Sequence, residues 1–233
     1  MKKIKLAFLG LAALSFAFVS CTDDETPAAE TAKVNVVHAS PNAPGVDLLV
    51  DGVKVNSSAL AFPDNTGYLS VNAGARNFKV NVTGTSTTVI DVTPTLTKDA
   101  NYTVFAIDSV SKISPLLLVD DLTAPAAGKA HIRFIHLSPN APAVDVSVVG
   151  QAAGVGIFTN RSFNKTITAA QYAFTPVDAA TYDLEVRVAG TTTVALSLPD
   201  ITLTAGKIYT VFAKGFLGGT GAQALGAGII VNN

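Results

Sequence analysis

One ten-residue phrase occurs twice in the chain, as HASPNAPGVD over residues 38–47 and as HLSPNAPAVD over residues 136–145. Eight of the ten positions are identical between the two copies. Such identity in a phrase with two prolines and a histidine indicates a tandem duplication, and a repeat of this length is typical of whole domains. We therefore expect that two copies of one module do whatever the chain does.

The similarity between the two halves continues beyond this phrase. VNAG at 71–74 matches VDAA at 177–180, and YTVFA at 102–106 returns at 209–213. The spacing between copies grows from 98 residues at the phrase to 106 and 107 at these later matches, so the second copy contains an insertion. We predict a first module over 33–123, a linker over 124–128 and a second module over 129–233.

Each module has the pattern of an all-β domain. Apolar and polar residues alternate over 78–83 and again over 184–188, as expected for half-buried strands. The YTVFA segments are apolar on both faces, which predicts central strands, and Asp51-Gly52 between apolar runs predicts a two-residue hairpin. About seven strands in about 100 residues predict two tandem immunoglobulin-like antiparallel β-sandwiches.

These features together are similar to a known family. The repeated phrase, Asp51-Gly52, the YTVFA strand and the acidic end Asp120-Asp121 resemble the bacterial and archaeal domain of unknown function family 4397 (DUF 4397) over nearly all of residues 33–233. The resemblance implies a fold but no activity, because none is assigned to the family. The second copy departs from the pattern, with Val149-Gly150 in place of Asp-Gly and no acidic pair at its end.

The first 21 residues are typical of a bacterial lipoprotein signal. Lysines precede an apolar stretch over 6–19, which is shorter than the roughly 20 residues needed to span a bilayer. The stretch ends in Phe18-Val19-Ser20-Cys21, which resembles the lipobox in which the cysteine is acylated. We expect a signal peptide over 1–20, lipidation at Cys21 and an acidic flexible tether over 21–32. An ordinary signal peptide with an unrelated cysteine is the alternative.

The residues after Cys21 indicate where in the cell the protein resides. Thr22-Asp23-Asp24-Glu25 resembles the export signal that carries lipoproteins of Bacteroidetes-type bacteria to the outside of the outer membrane. We therefore expect an outer-membrane lipoprotein exposed at the cell surface, with a periplasm-facing anchor as the alternative. Cys21 is the chain's one cysteine, so no internal disulfide can form.

The composition narrows the possible partners. Charged residues make up 14% of the chain, the net charge is −1 and no basic cluster occurs, which argues against nucleic acid and anionic lipid headgroups. The expected partners are the membrane, through the acyl chains, and a surface glycan or protein ligand.

The candidate site residues all lie in the repeated phrase, where they are explained either by a structural corner or by a ligand site. Prolines restrict the backbone, and Ser and Asp side chains can accept hydrogen bonds from backbone amides. One histidine in each copy of the phrase is too few for zinc, whereas a calcium role for Asp47 with Asp51, or Asp120 with Asp121, stays open. We predict no catalytic residue, metal or cofactor. The residues in question are His38, Ser40, Pro41, Asn42, Pro44, Asp47, His136, Ser138, Pro139, Asn140, Pro142 and Asp145.

Three functions compete on the sequence alone. The first is a non-enzymatic surface binding or adhesion module, and the second is a structural or spacer component of the envelope. The third is an enzyme with an unrecognised site around the repeated phrase. An exposed aromatic or hydrophobic platform would favour binding, smooth polar faces would favour the spacer, and a pocket joining His38 to two carboxylates would favour the enzyme.

Overall fold

The computed structural model describes residues 29–163 and 165–233. The predicted signal peptide (1–20), Cys21 and most of the predicted tether lie outside the described residues. Within those two ranges, no helix has the length and apolar character needed to cross a membrane.

The first module consists of short strands, with a 3-10 turn at Val110–Lys112. Its strands in the described chain are β1 (Thr31–His38), β2 (Val46–Val50), β3 (Val53–Lys54), β4 (Asn65–Asn72), β5 (Gly74–Ala75), β6 (Phe78–Val82), β7 (Thr88–Val92), β8 (Thr95–Leu96), β9 (Asn101–Ile107) and β10 (Ser114–Asp120).

The second module repeats this order with a longer connection between its second and fourth strands. Its elements in the described chain are β11 (Lys129–His136), β12 (Val144–Val148), β13 (Phe158–Arg161), α1 (Ala169–Tyr172), β14 (Thr175–Asp178), β15 (Ala180–Val188), β16 (Val194–Leu203), β17 (Ile208–Lys214), a 3-10 turn (Gly221–Gln223) and β18 (Gly226–Val231).

Each module is a sandwich of two four-stranded sheets. In the first module the sheet β10-β9-β1-β4 packs on β3-β2-β6-β7, and in the second β14-β11-β17-β18 packs on β13-β12-β15-β16. We call β10-β9-β1-β4 and β14-β11-β17-β18 the inner sheets and the other two the outer sheets. Among the described residues, no sheet combines strands from both sides of residues 124–128.

The predicted all-β architecture is confirmed, and the YTVFA strands β9 and β17 are central in their sheets. The strands of the sandwiches pair antiparallel except that β1 pairs with β9 and β11 pairs with β17 in parallel, so the inner sheets are mixed. A hairpin turn makes neighbouring strands antiparallel. Since β1 and β9 are separated by almost a whole module, no hairpin dictates their relative direction.

The predicted hairpin at Asp51-Gly52 is present between β2 and β3. Asp51 has φ of 49° and Gly52 has φ of 82°, so both central residues adopt the left-handed conformation that the tightest hairpin turns require. Asp and Gly tolerate this conformation better than most residues, which explains why this pair forms the turn between β2 and β3.

The central strands of the inner sheets, β1 with β9 and β11 with β17, are buried on both faces. Side chains alternate along a strand, so one face of each inner sheet points into its own sandwich and the other points to the opposite module. On that second face Val37, Phe105 and Leu118 form one buried cluster with Ile135 and Phe212. The two sandwiches are therefore in contact through a shared apolar core.

This contact has an approximate two-fold symmetry. Phe105 and Phe212 occupy the same position of the YTVFA repeat. Their rings meet edge to face, with 5.7 Å between centroids. A two-fold axis places equivalent residues against each other in this way, as in the interface of a symmetric dimer. The duplicated modules thus pack like two subunits joined by a linker.

A buried ion pair crosses the interface beside this core. Arg133 Nη2 lies 2.7 Å from Asp120 Oδ1, and both side chains are fully buried. The hydroxyls of Tyr68 and Thr103 each donate to Asp120 Oδ2 at 2.6 Å. Arg133 Nε donates to Thr210 Oγ1 at 2.8 Å. Burial and the Asp120 carboxylate raise the pKa of Tyr68, so its hydroxyl stays protonated and able to donate.

The ion pair makes the two modules unequal. The repeat places Asn35 at the position of Arg133, and strand register places Asn232 at the position of Asp120. Asn232 is neutral and donates to the Tyr68 hydroxyl at 3.0 Å. The charge pair therefore occupies one of the two symmetric positions, and neither module can replace the other at this interface.

Candidate functional site

The repeated phrase folds into the same corner in both modules, between β1 and β2 and between β11 and β12. His38 Nε2 donates to the Pro44 carbonyl at 3.0 Å, and His136 Nε2 donates to the Pro142 carbonyl at 3.0 Å. Both rings are buried, and desolvation lowers the pKa of each histidine. The rings therefore close their loops as neutral hydrogen-bond donors.

The aspartates that end the phrase hold backbone amides. Asp145 is buried, and its carboxylate accepts hydrogen bonds from the amides of Asn160 at 2.7 Å and Gly190 at 2.8 Å. Asp47 lies 2.8 Å from the Lys54 ammonium and accepts from the Gly84 amide at 3.2 Å. The Lys54 ammonium and then the Gly84 amide lower the pKa of Asp47. This geometry is the one that a structural corner requires.

Replacing Asp145 with Ala should lower the free energy of unfolding by about 1–3 kcal/mol, because the backbone amides of Asn160 and Gly190 would lose the buried carboxylate that accepts from both. Urea unfolding followed by circular dichroism measures this change. Asp178→Ala is the matched control, since the Asp178 side chain is 77% exposed. A metal site would behave differently. A wild-type melting temperature that falls on chelation and recovers with one metal ion would contradict the corner hypothesis.

The asparagines of the phrase form hydrogen bonds between each corner and a loop that comes late in the sequence of the same module. Asn42 Oδ1 accepts from the Val110 amide at 2.9 Å. Asn140 Oδ1 accepts from the Leu217 amide at 2.8 Å, and its Nδ2 donates to the Leu217 carbonyl at 3.0 Å. Both contacts reach the connection between the last two strands of the module.

The serines differ from the expectation that they bind backbone amides. Ser40 and Ser138 are fully buried, and their hydroxyls have no hydrogen-bond partner among the described residues. Pro41 and Pro139 follow them at the start of the turn. The serines thus fill tight space in the corner, and the aspartates, asparagines and histidines provide its polar contacts.

The carboxylates considered for calcium have protein partners. Asp51 accepts from the Asn77 amide at 2.9 Å and pairs with Arg76 at 3.2 Å. Asp121 accepts from the Thr123 amide at 3.0 Å, and Asp120 belongs to the interface ion pair. In the part of the chain that the structure describes, no three His, Cys, Asp or Glu side chains gather closely enough to hold a metal ion.

A groove of about 640 Å³ lies between the modules, and we call it the open groove. One wall is the connection from β3 to β4, with Asn56, Ser58 and Asp64. The other wall comes from β17 and β18, with Lys214 and Gly228. Amides, hydroxyls and one charge of each sign dominate the wall, so a ligand with hydrogen-bonding groups would fit it.

The open groove is adjacent to the first corner. The His38 ring meets the Phe62 ring edge to face, with 6.3 Å between centroids. The Lys214 ammonium lies 5.4 Å from the centre of the same Phe62 ring. A buried residue of the repeated phrase in module one is thereby connected through one aromatic side chain to a cation of module two.

Reasoning from the sequence missed the groove and its residues. The repeat alignment does contain a signal, because Lys214 replaces Ile107 directly after YTVFA. A charge at a position that is fully buried in the other copy marks a difference in environment. The apposition of β18 with the β3–β4 connection, however, depends on the packing of the modules, which no local pattern predicts.

Comparison with known proteins agrees with the resemblance noted in the sequence. The family model of the domain of unknown function (DUF4397) matches residues 32–147, from β1 of the first module to β12 of the second. The matched range therefore extends past the linker into the second sandwich. No curated protein matches the chain. Residues 32–147 of the chain therefore form a region of the DUF4397 family.

Proposed function

We propose that this chain is a non-enzymatic lipoprotein of the cell envelope that binds a ligand in the open groove between its modules. The observation that carries the proposal is the groove itself. Its volume of about 640 Å³ lies within the range of small-ligand sites, about 300–1,000 Å³, and its position between two domains is a common one for such sites.

The anchoring part of the proposal rests on the sequence. The apolar stretch over 6–19 and the lipobox-like residues that end in Cys21 support acylation at Cys21. The acidic residues after it support display on the outer face of the outer membrane, with a periplasm-facing anchor as the alternative. On this proposal the tether holds the sandwiches at the membrane through the acyl chains.

The assignment as non-enzymatic rests on the surroundings of His38. An enzyme built around the repeated phrase would need His38 next to carboxylates that could share its proton. Asp64 acts on His38 only through space and raises its pKa slightly against the larger effect of burial, since no hydrogen bond or ion pair joins the two side chains in the described chain. The His38 Nε2 is engaged by the Pro44 carbonyl. The buried ring contributes to the corner instead.

Filling the open groove should abolish ligand binding. Ser58 is exposed on its wall, so Ser58→Trp places a large side chain in the groove without removing a core residue. The matched control is Thr192→Trp, in an exposed turn of the second module that does not line the groove. Full-length chain purified in detergent would be applied to glycan and peptide arrays. Ligands retained by Thr192→Trp and lost by Ser58→Trp support the proposal, and equal binding by both variants overturns it.

One observation favours a structural spacer as the second candidate. No aromatic side chain is fully exposed in the described residues, and the exposed large apolar residues are aliphatic. Surface modules that stack sugars present exposed aromatic rings, so this surface is not of that kind. A chain that binds nothing on either array would favour the spacer.

A further inference from the structure

The approximate two-fold symmetry gives the open groove a counterpart on the opposite side of the molecule. The open groove lies between the β2–β4 connection of module one and strands β17 and β18 of module two. The counterpart lies between the β12–β14 connection of module two and strands β9 and β10 of module one. We call it the filled cleft, because the two sites differ in what occupies them.

A segment of the chain itself occupies the filled cleft. The connection in module two is eight residues longer than that in module one, judged from the spacing of the repeat. Phe163, Ile167 and Tyr172 of this longer connection pack against the apolar cluster between the modules. Lys165 lies 2.8 Å from an Asp108 carboxylate oxygen and donates to the Lys112 carbonyl at 2.9 Å. The fold thus already holds one peptide segment at this type of site.

The open groove has the same framework with a different floor. Register places Gly228 at the position of the buried Leu116, and the repeat places Lys214 at the position of the buried Ile107. The Phe212 ring packs directly against the Gly228 backbone, in the space that a Cβ at residue 228 would occupy. The first replacement removes the leucine side chain from the floor of the open groove, and the second gives the floor a cation.

The framework of the filled cleft contributes a negative charge, whereas the floor of the open groove contributes a positive one. In the filled cleft the occupying segment supplies a cation, Lys165, and module one supplies the carboxylate of Asp108. In the open groove module two supplies the cation, Lys214, which lies over the Phe62 ring. The Asp64 carboxylate of module one lines the same groove, but Lys214 forms no ion pair with it or with any other described residue. An occupant of the open groove would therefore satisfy this ammonium with a carboxylate.

We propose that the open groove binds a peptide segment of a partner protein, with an acidic side chain against Lys214 and an apolar side chain beside Phe212 and Gly228. The proposal rests on the proposed function, because it names the ligand class of the same groove. The bound peptide would make the same kinds of contact as the segment containing Phe163, Lys165 and Ile167 makes in the filled cleft, namely apolar packing and one ion pair. The positive and negative partners of the ion pair would be exchanged.

A charge-swap experiment tests this assignment. The probe is a synthetic peptide with the sequence of residues 161–174, prepared with the Lys165→Glu substitution, and the control peptide keeps Lys165. Binding to the full-length chain in detergent is measured by fluorescence polarisation. We expect the peptide with the Lys165→Glu substitution to bind up to about fivefold more tightly than the control, as one partly exposed ion pair allows. The Lys214→Glu variant of the protein should reverse this preference.

The outcomes separate this inference from the proposed function. Equal binding of both peptides, or a preference that Lys214→Glu leaves unchanged, overturns the peptide assignment. If neither peptide binds and a glycan on the array is lost with Ser58→Trp, the peptide assignment is overturned while groove binding stands. If Ser58→Trp changes the binding of no array ligand, the proposed function fails as well. Loss of the peptide with the Lys165→Glu substitution in Ser58→Trp, but not in Thr192→Trp, supports both.

Discussion

Replacing Asp120 with Asn is expected to lower the free energy of unfolding by about 3–5 kcal/mol. The substitution keeps an acceptor for the Tyr68 and Thr103 hydroxyls but leaves the Arg133 guanidinium as an unpaired charge in a site without solvent access. Removing one partner of a buried ion pair is costly because the remaining charge has lost both water and its counter-ion. Urea unfolding followed by circular dichroism suits this measurement, since the chain has no tryptophan.

A double-mutant cycle gives this prediction its control. Arg133→Met alone should also destabilise the protein, whereas Asp120→Asn combined with Arg133→Met removes both charges and should be more stable than the sum of the single effects indicates. Asp121→Asn, at the exposed neighbouring position, should change the unfolding free energy little. Additive effects of the two interface substitutions would show that Asp120 and Arg133 do not interact across the modules.

Cys21→Ala should abolish incorporation of a fatty-acid probe and release the protein from the membrane fraction. The reason is chemical, because in the proposed modification the thiol of Cys21 would accept the first acyl group, and the sequence has no other cysteine to replace it. Metabolic labelling with an alkyne fatty acid, followed by fractionation, measures both effects. A single acyl chain gives only reversible membrane binding, so durable retention requires the complete modification.

The control for the anchor is Thr22→Ala, which leaves the cysteine in place next to an altered tether. This variant should be labelled and retained like the wild type. Equal labelling of Cys21→Ala and the wild type would show that the chain is not a lipoprotein of this type, and the N-terminal segment would then be an ordinary signal peptide.

The strands of both modules could be predicted because their signals are local. Alternation over 78–83 marks a half-buried strand, the two-sided apolar YTVFA marks a central one, and Asp51-Gly52 can adopt the positive φ angles of a tight hairpin. Each signal depends on a few neighbouring residues. The parallel pairing of β1 with β9 could not be predicted in this way, because it joins strands that no turn connects.

The corner formed by the repeated phrase was partly predictable. Prolines and short polar side chains indicate a turn, and Asp47 and Asp145 do accept backbone amides there. The hydrogen-bond partners of His38 and His136 could not be named from the sequence. Each ring donates to a proline carbonyl, and the orientation of that carbonyl depends on how the loop closes.

The sequence by itself determined the duplication, the all-β class and most strand positions, and it predicts the lipid anchor, since these depend on repeats, periodicity and short motifs. The tertiary structure alone decided that the inner sheets meet face to face, that Arg133 pairs with Asp120, and that Lys214 and Gly228 border a groove with the β3–β4 connection. These contacts join residues from different modules. Their formation depends on the shape and charge of two complete sheet faces, and such surfaces exist only after each module has folded.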